Sequence, residues 1–342
     1  MVKIPAFPRR LRSRRIVMSF AAVMTVATAA ACGSSAPDQE ASGGGSSQDD
    51  ANYPVTLETA FGDVTITERP ERVVALGWGD AEDALALGVQ PVGASDWLDF
   101  GGEGVGPWSA GQYDEPPTII DTMEPEYEKV AALQPDLILD VNSSGDAQRH
   151  ETLSKIAPVV AVPPDGGEYS VDWRTQMTMI SKALGKPDEG AKLIGEVDDL
   201  FAQKRSEFPQ FEGKEIAVGS RTVNGWGAYV DTDQRVEFAE ALGFVNSPRI
   251  NALTEDSFSV QVSDERIDLF DADLTVMFPI YVDPAEITED PLLQRVPSVA
   301  DGHLVVFDDE AVRKSFTTGS VPALTFALQN VPPILANALE GA

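Results

Sequence analysis

Residues 128–141 read EKVAALQPDLILDV and residues 265–278 read ERIDLFDADLTVMF, the second stretch repeating the first without a gap 137 positions later. Glu128 matches Glu265, Lys129 matches Arg266, Val130 matches Ile267, Leu133 matches Phe270, and Asp136-Leu137 matches Asp273-Leu274. Each copy reads as a helix running into a buried strand, because apolar residues at helical spacing give way to an unbroken apolar run. A chain that builds one such unit twice builds two similar lobes, and two α/β lobes imply a cleft between them. A glutamate that opens a helix is also favoured by the helix dipole, so the two matched acids have a purely structural reading beside any functional one.

Outward from the first copy, short β-rich runs alternate with helical patterns. Residues 72–76 (RVVAL) precede a helix over Asp80–Leu87, then PVGA at 91–94, helix Glu126–Gln134, strand Asp136–Val141, helix Arg149–Ala157 and strand Val159–Val162. Such alternation marks an α/β lobe with ligand-facing loops at the carboxyl ends of its strands. A second series starts with EIAVG at 215–219, followed by helices Arg235–Leu242 and Asp264–Phe270, strands Leu274–Phe278 and His303–Phe307, and a last helix Val321–Leu339. Between the two lie helical patterns at Trp173–Leu184 and 187–208. In the latter Pro187, Asp188 and Glu189 suit a first turn, while Leu193, Val197, Leu200, Phe201, Lys204 and Phe208 line one face. At about 1.5 Å per residue it spans roughly 33 Å, enough for a stiff strut between lobes.

The N-terminus carries Lys3, Arg9, Arg10, Arg12, Arg14 and Arg15, a charge-free apolar run from Ile16 to Ala31, and then Cys32-Gly33. This is the pattern of an export signal (1–31), and the only cysteine of the 342 residues stands where lipid would be attached after cleavage. Ser13-Arg14-Arg15 also permits twin-arginine export. Residues 32–52 are Ser, Gly, Asp, Gln and Glu-rich and read as a tether. The remainder divides into a lobe over 53–186, a connecting helix over 187–208 and a lobe over 209–342. Six of the 25 Lys+Arg precede Cys32, so 19 face 55 Asp+Glu in the mature chain, a formal charge of −36. That surface repels nucleic acid and anionic headgroups.

Aromatic and arginine residues concentrate in the loops after strands: Trp78, Trp97 and Trp108 in the first lobe, Arg221, Trp226, Tyr229, Tyr281, Arg313 and Phe316 in the second. Each single aromatic has loop packing as its ordinary explanation; as a set they form a candidate ligand surface, with Arg221 and Arg313 suited to an anionic group. Catalytic patterns are missing. Histidine occurs only at 150 and 303, and no HExxH, no phosphate-cradling GKS or GKT and no GxGxxG between strand and helix is present. The chain reads as a binder without cofactor or protein-held metal. An extracytoplasmic hydrolase and a ligand-free surface sensor are the readings from other classes.

Taken together, the Cys32 signal, RPERVVAL at 69–76, ALGVQPVG at 86–93, EKVAALQPDLIL at 128–139 and LSKIAPVV at 153–160 resemble the iron-siderophore binding lipoproteins of ABC importers, kin of the ferrichrome, iron dicitrate and vitamin B12 binding proteins. The resemblance implies two Rossmann-like α/β lobes joined by a single long helix, the helical-backbone or class III arrangement of substrate-binding proteins. It implies a monomer on the outer face of the cell membrane that holds a ferric siderophore in a shallow cleft and meets a permease dimer through one glutamate on each lobe. By motif match those are Glu128 and Glu265. Cobalamin and haem are the rival ligands, haem being disfavoured because neither histidine falls in a cleft loop.

Overall fold

The structure, a computed structural model, describes residues 52–253 and 257–341. The expected export signal, Cys32 and all but the last residue of the tether lie outside the described residues.

A hairpin of β1 (Val55–Leu57) and β2 (Val64–Ile66) precedes the first sheet, whose strands are β3 (Val73–Ala75), β4 (Gly93–Ser95), β5 (Thr118–Ile120), β6 (Leu137–Asp140) and β7 (Val159–Ala161). Their order is β5-β4-β3-β6-β7, and every pairing is parallel. Such strands are covered on both faces, which is why they read as runs without polar alternation. The helices of this part are α1 (Asp80–Ala86), α2 (Tyr127–Ala132), α3 (Ala147–Leu153) and α4 (Trp173–Ala183).

The second sheet holds β8 (Glu215–Thr222), β9 (Gly225–Tyr229), β10 (Val245–Asn246), β11 (Ser259–Val262), β12 (Leu274–Pro279) and β13 (Leu304–Val306). Its order is β11-β9-β8-β12-β13 with β10 alongside β8. The trio β8-β12-β13 is parallel and repeats the arrangement of β3-β6-β7, whereas β9 and β11 pair antiparallel. Helix α5 (Pro187–Glu207) joins the two parts. Its ends follow the dipole, with Pro187, Asp188 and Glu189 opening it and Lys204 and Arg205 in its last turn. Val197 and Phe201 are buried, and the Lys204 ammonium lies 6.0 Å from the Phe208 ring, its stem covering the stripe. After α5 come α6 (Gln234–Ala241), three single-turn helices α7 (Pro248–Asn251), α8 (Ala285–Thr288) and α9 (Pro297–Ala300), then α10 (Glu310–Thr317) and α11 (Val321–Leu339).

The elements of the 137-residue repeat start at equivalent residues. Helix α2 starts at Tyr127 and its counterpart at Asp264; β6 starts at Leu137 and β12 at Leu274. The matched aspartates do the same work. Asp136 accepts from the N–H groups of Glu71 (2.8 Å) and Arg72 (2.9 Å) at the entry to β3, and Asp273 accepts from the Glu215 N–H (2.9 Å) and Lys214 Nζ (3.2 Å) at the entry to β8.

Three local expectations need correction. The segment Asp264–Phe270 is a 3-10 helix broken at Arg266 (φ −113°), not an α-helix. Strand β8 continues to Thr222, three residues past the expected end, because it pairs as a hairpin with β9. The stretch after β13, expected as loop, is helix α10, capped by the Asp309 carboxylate accepting from Val312 N–H at 3.0 Å.

Candidate functional site

The loops at the carboxyl ends of the two sheets face one another around a cleft of about 540 Å³, a volume suited to a small ligand. Its first wall is a stack of rings. Gly79, at φ 79°, turns the chain from β3 into α1 and sets Trp78 at the mouth. The Trp78 indole lies between Trp97, after β4, at 4.2 Å and 9°, and Tyr169, after β7, at 4.1 Å and 22°. The opposite wall comes from Tyr229 at the end of β9, Phe278 and Pro279 at the end of β12, Tyr281 beyond it and the polar face of α10.

Of the four described non-glycine residues with left-handed backbone, Asp99, Tyr169 and Tyr281 (φ 53°, 50° and 54°) lie at the cleft or directly behind it, and the fourth, Gln134 (φ 49°), ends the turn after α2. Left-handed backbone at such residues is sparsely populated and gathers at ligand-clamping positions. Tyr281 is 88% exposed, an aromatic held out over the opening.

Three cations line the cleft. Arg235 donates through Nε to Asp233 Oδ1 (2.8 Å) and through Nη2 to Oδ2 (2.7 Å), and its guanidinium stacks 3.8 Å from the Tyr229 ring. Burial works against that charge, and the Asp233 carboxylate more than offsets it, raising the Arg235 pKa further. Lys314 pairs with Glu310 at 2.8 Å, donates to the Asp99 carbonyl at 3.1 Å and sits 4.8 Å from the Phe100 ring centre. Arg313, half-buried on the same helix, has no carboxylate within ion-pair distance among the described residues.

Of the residues expected at a ligand surface, the cleft brings together Trp78, Trp97, Tyr229, Tyr281 and Arg313. The other four lie elsewhere. Trp226 is 2% exposed and packs against Phe270 on the far face of the second sheet, with Arg221 stacked 4.8 Å over its ring. Both belong to a strand hairpin rather than a loop, and side-chain alternation turns them away from the face that carries Tyr229. Phe316 is 2% exposed and lies among Phe238, Phe278 and Phe307, since α10 turns Val312, Ser315 and Phe316 inward and Glu310, Arg313, Lys314 and Thr317 toward the cleft. Trp108 packs between Phe100 and Phe326 of α11.

Tyr169, Arg235, Lys314 and Met123 were not singled out in the sequence. Tyr169 follows a strand just as Trp78 does, and that rule would have found it. Arg235 gave no such signal, because it stands at the start of a helix, whereas Lys314 lies beside Arg313 in the stretch read as loop and the same rule covered it. Glu128 and Glu265 are exposed, each the second residue of its helix.

Beneath the cleft α1 buries three acids in its first turn, a feature that the sequence concealed because acids there suit any helix. Asp80 accepts from Val141 N–H (2.9 Å) and Gln176 Nε2 (2.8 Å). Glu82 accepts from the Gly106 N–H (2.8 Å) and the Ser320 hydroxyl, and Asp83 from Val321 N–H (2.9 Å). Burial raises the pKa of all three, that of Asp80 to about 7. The bonds from Ser320 and Val321 dock the start of α11 onto α1, and those of Asp80 tie α1 to the end of β6 and to α4. Gln234 Nε2 adds a bond to the Val171 carbonyl (3.1 Å), so the connection between the two sheets is more than α5 alone.

Two other hollows are less suited to a ligand. One of about 270 Å³ between α4, α6 and α11 is lined by Asp172, Glu237 and Glu240, and one of about 550 Å³ lies at the amino ends of β8 and β12, away from the strand ends where α/β sheets form crevices. Among the described residues no group of three or more His, Cys, Asp or Glu is placed to hold a metal ion.

Comparison with known proteins agrees with this geometry. The family described as "Periplasmic binding protein" matches residues 73–311. The Fe(3+)-citrate-binding protein YfmC of Bacillus subtilis is 28% identical over 218 residues, 62% of this chain and 64% of that protein, so the match spans just under two thirds of that relative. The probable siderophore-binding lipoprotein YfiY of the same organism is 26% identical over 283 residues, 78% of this chain and 82% of that one. The crystal structure of Streptococcus pneumoniae PiaA with ferrichrome superposes with a TM-score of 0.73 at 27% identity, covering 84% of this chain and 99% of that one.

Proposed function

This chain belongs to the periplasmic binding protein family, a family of binding proteins rather than enzymes, and we propose that it captures a ferric siderophore in the cleft between its two sheets and delivers it to the permease dimer of an ABC importer. One observation carries the reading: the Trp97-Trp78 pair, backed by Tyr169, facing Tyr229 and Arg313 across about 540 Å³. A chelator that already saturates its iron asks the protein for broad aromatic faces and a few hydrogen-bond donors, and this cleft offers both. The relatives named for iron-citrate and siderophore binding, and the ferrichrome complex of PiaA, support the same ligand class.

Lipid attachment at Cys32 would hold the protein at the outer face of the membrane, a placement supported by the apolar run before that cysteine and by the lipoprotein relative. Glu128 and Glu265, exposed at equivalent points of the repeat, are proposed as the contacts to permease arginines. The decisive experiment for capture is a titration of intrinsic tryptophan fluorescence with ferric siderophores, cobalamin and haemin. Saturable quenching by a ferric siderophore is expected, and its absence across the siderophores overturns the assignment. For docking, Glu128→Ala with Glu265→Ala is expected to leave melting temperature and ligand affinity nearly unchanged, because exposed charges contribute at most about 1 kcal/mol, while iron uptake collapses. Normal uptake by the double variant refutes the docking role.

A further inference from the structure

The charge inventory of the cleft narrows the ligand class, on the premise that the cleft is the siderophore site. Among the described residues its lining carries three cations, Arg235, Arg313 and Lys314, and two acids, Asp99 and Glu310. Asp233 accepts from the Nε and Nη2 groups of Arg235 at 2.8 and 2.7 Å, which offsets the remaining formal charge. Lys314 is committed twice, to the Glu310 carboxylate and to the Asp99 carbonyl. Among the described cations of the lining, Arg313 is the one without a carboxylate at ion-pair distance. The surroundings do not help, since the whole chain carries a formal charge of −30.

Ferric siderophores differ in net charge by simple coordination arithmetic. Three hydroxamates each bring one negative charge and neutralise iron(III). Three catecholates bring two each and leave the complex strongly anionic, and α-hydroxycarboxylate complexes such as ferric citrate are also anionic. Taking an anion out of water into a site without compensating charge is costly, whereas an uncharged complex with an apolar periphery loses little on desolvation and gains contact with rings. We infer that this cleft takes uncharged or weakly charged ferric hydroxamates, and discriminates against catecholate and citrate complexes, because its lining pairs its cations internally and offers, among the described residues, one guanidinium without a carboxylate partner beside aromatic faces. That single donor is suited to a hydroxamate oxygen or an amide carbonyl of the chelator.

The test compares three probes on the full chain at neutral pH and low ionic strength: ferrichrome, ferric enterobactin and ferric citrate, each read by quenching of tryptophan fluorescence. Ferrichrome is expected to bind at least tenfold more tightly than either anionic complex. Asp99→Asn combined with Glu310→Gln raises the cleft charge by two at exposed positions and removes the carboxylate partner of Lys314. It is expected to narrow that ratio by tightening the anionic complexes relative to ferrichrome. Equal or tighter binding of an anionic complex by the wild-type chain overturns the inference while leaving siderophore capture intact, as does a ratio unmoved by the double substitution. Failure of all three probes to bind overturns the siderophore reading itself, and this inference with it.

Discussion

Raising the pH from 5 to 8 should destabilise this protein, and the buried acids of α1 set the size of the effect. Asp80 is fully buried and its pKa rises from 3.8 to about 7, first through desolvation, against the opposing hydrogen bonds from Val141 and Gln176. In the unfolded chain the group ionises near its ordinary value, so between these two pH values the native state binds the extra proton. Its contribution is therefore fully present below the unfolded pKa and is lost as pH rises through about 7. At about 1.4 kcal/mol per pH unit the shift is worth about 4 kcal/mol in all, of which about 2 kcal/mol falls between pH 5 and 7, the slope flattening as the pH nears the folded value. Glu82 and Asp83, also raised by burial, act in the same sense. Surface carboxylates with lowered pKa values, Glu126 and Glu310, act in a different window, losing stability only as pH falls below the ordinary carboxylate range. His150, pushed down by desolvation, opposes the trend weakly from a half-exposed position. Urea unfolding followed at pH 5, 6, 7 and 8 measures the slope. Asp83→Asn keeps an acceptor for the Val321 N–H and replaces the carboxylate oxygen Oδ2, which has no hydrogen-bond partner, so it should flatten the profile. A wild-type stability that is level or rises from pH 5 to 8 refutes the argument.

Trp97→Ala should weaken ferric-siderophore binding by about 2 kcal/mol, roughly thirtyfold in Kd, with a small change in melting temperature, because Trp97 is half-buried at the cleft. Trp226→Ala should do the reverse, costing about 3–5 kcal/mol of stability through a core cavity while ligand affinity survives in the folded fraction; weaker binding at unchanged stability contradicts the placement of Trp226. Arg235→Ala strands the Asp233 carboxylate in a nearly closed site and should lower stability by about 3–5 kcal/mol in urea unfolding, an unchanged midpoint counting against the pair. Cys32→Ser should release the protein from the membrane or leave its precursor uncleaved, and an unaltered membrane fraction excludes lipidation there.

The architecture was legible because the repeat is a folding instruction. The apolar runs at 137–141 and 274–278 could only be strands covered on both faces, and the Asp136 and Asp273 carboxylates that precede them fasten the neighbouring strand in both halves. The cleft was half legible. Position after a strand found Trp78, Trp97, Tyr229 and Tyr281, since that rule depends only on where strands end. It failed for Arg221 and Trp226 because the pairing of β8 with β9 is a long-range fact: the hairpin extends the strand and the pleat then decides which face each residue takes. It failed for Phe316 because α10 sorts Arg313 and Phe316 to different sides of one helix. The acids of α1 were hidden for a related reason, since burial comes from α4 and α11, roughly 100 and 240 residues later in the chain.

Those same acids bear on how a ligand would be held. A protein whose lobes met only through α5 could open and shut around that helix. Here the start of α11 is fixed to α1 through Glu82 and Asp83, Gln234 reaches the Val171 carbonyl, and Lys314 of α10 reaches the Asp99 carbonyl at the cleft rim. Opening the cleft widely would leave buried carboxylates and backbone N–H groups without partners, at about 1–3 kcal/mol for each such group. The cleft is therefore largely formed before the ligand arrives, and selection falls to the fixed ring stack and the internally paired charges rather than to closure around whatever enters. The same seam carries the ring stack, because the Gln176 amide donates to both the Asp80 carboxylate and the Trp78 carbonyl, at 2.8 and 2.7 Å.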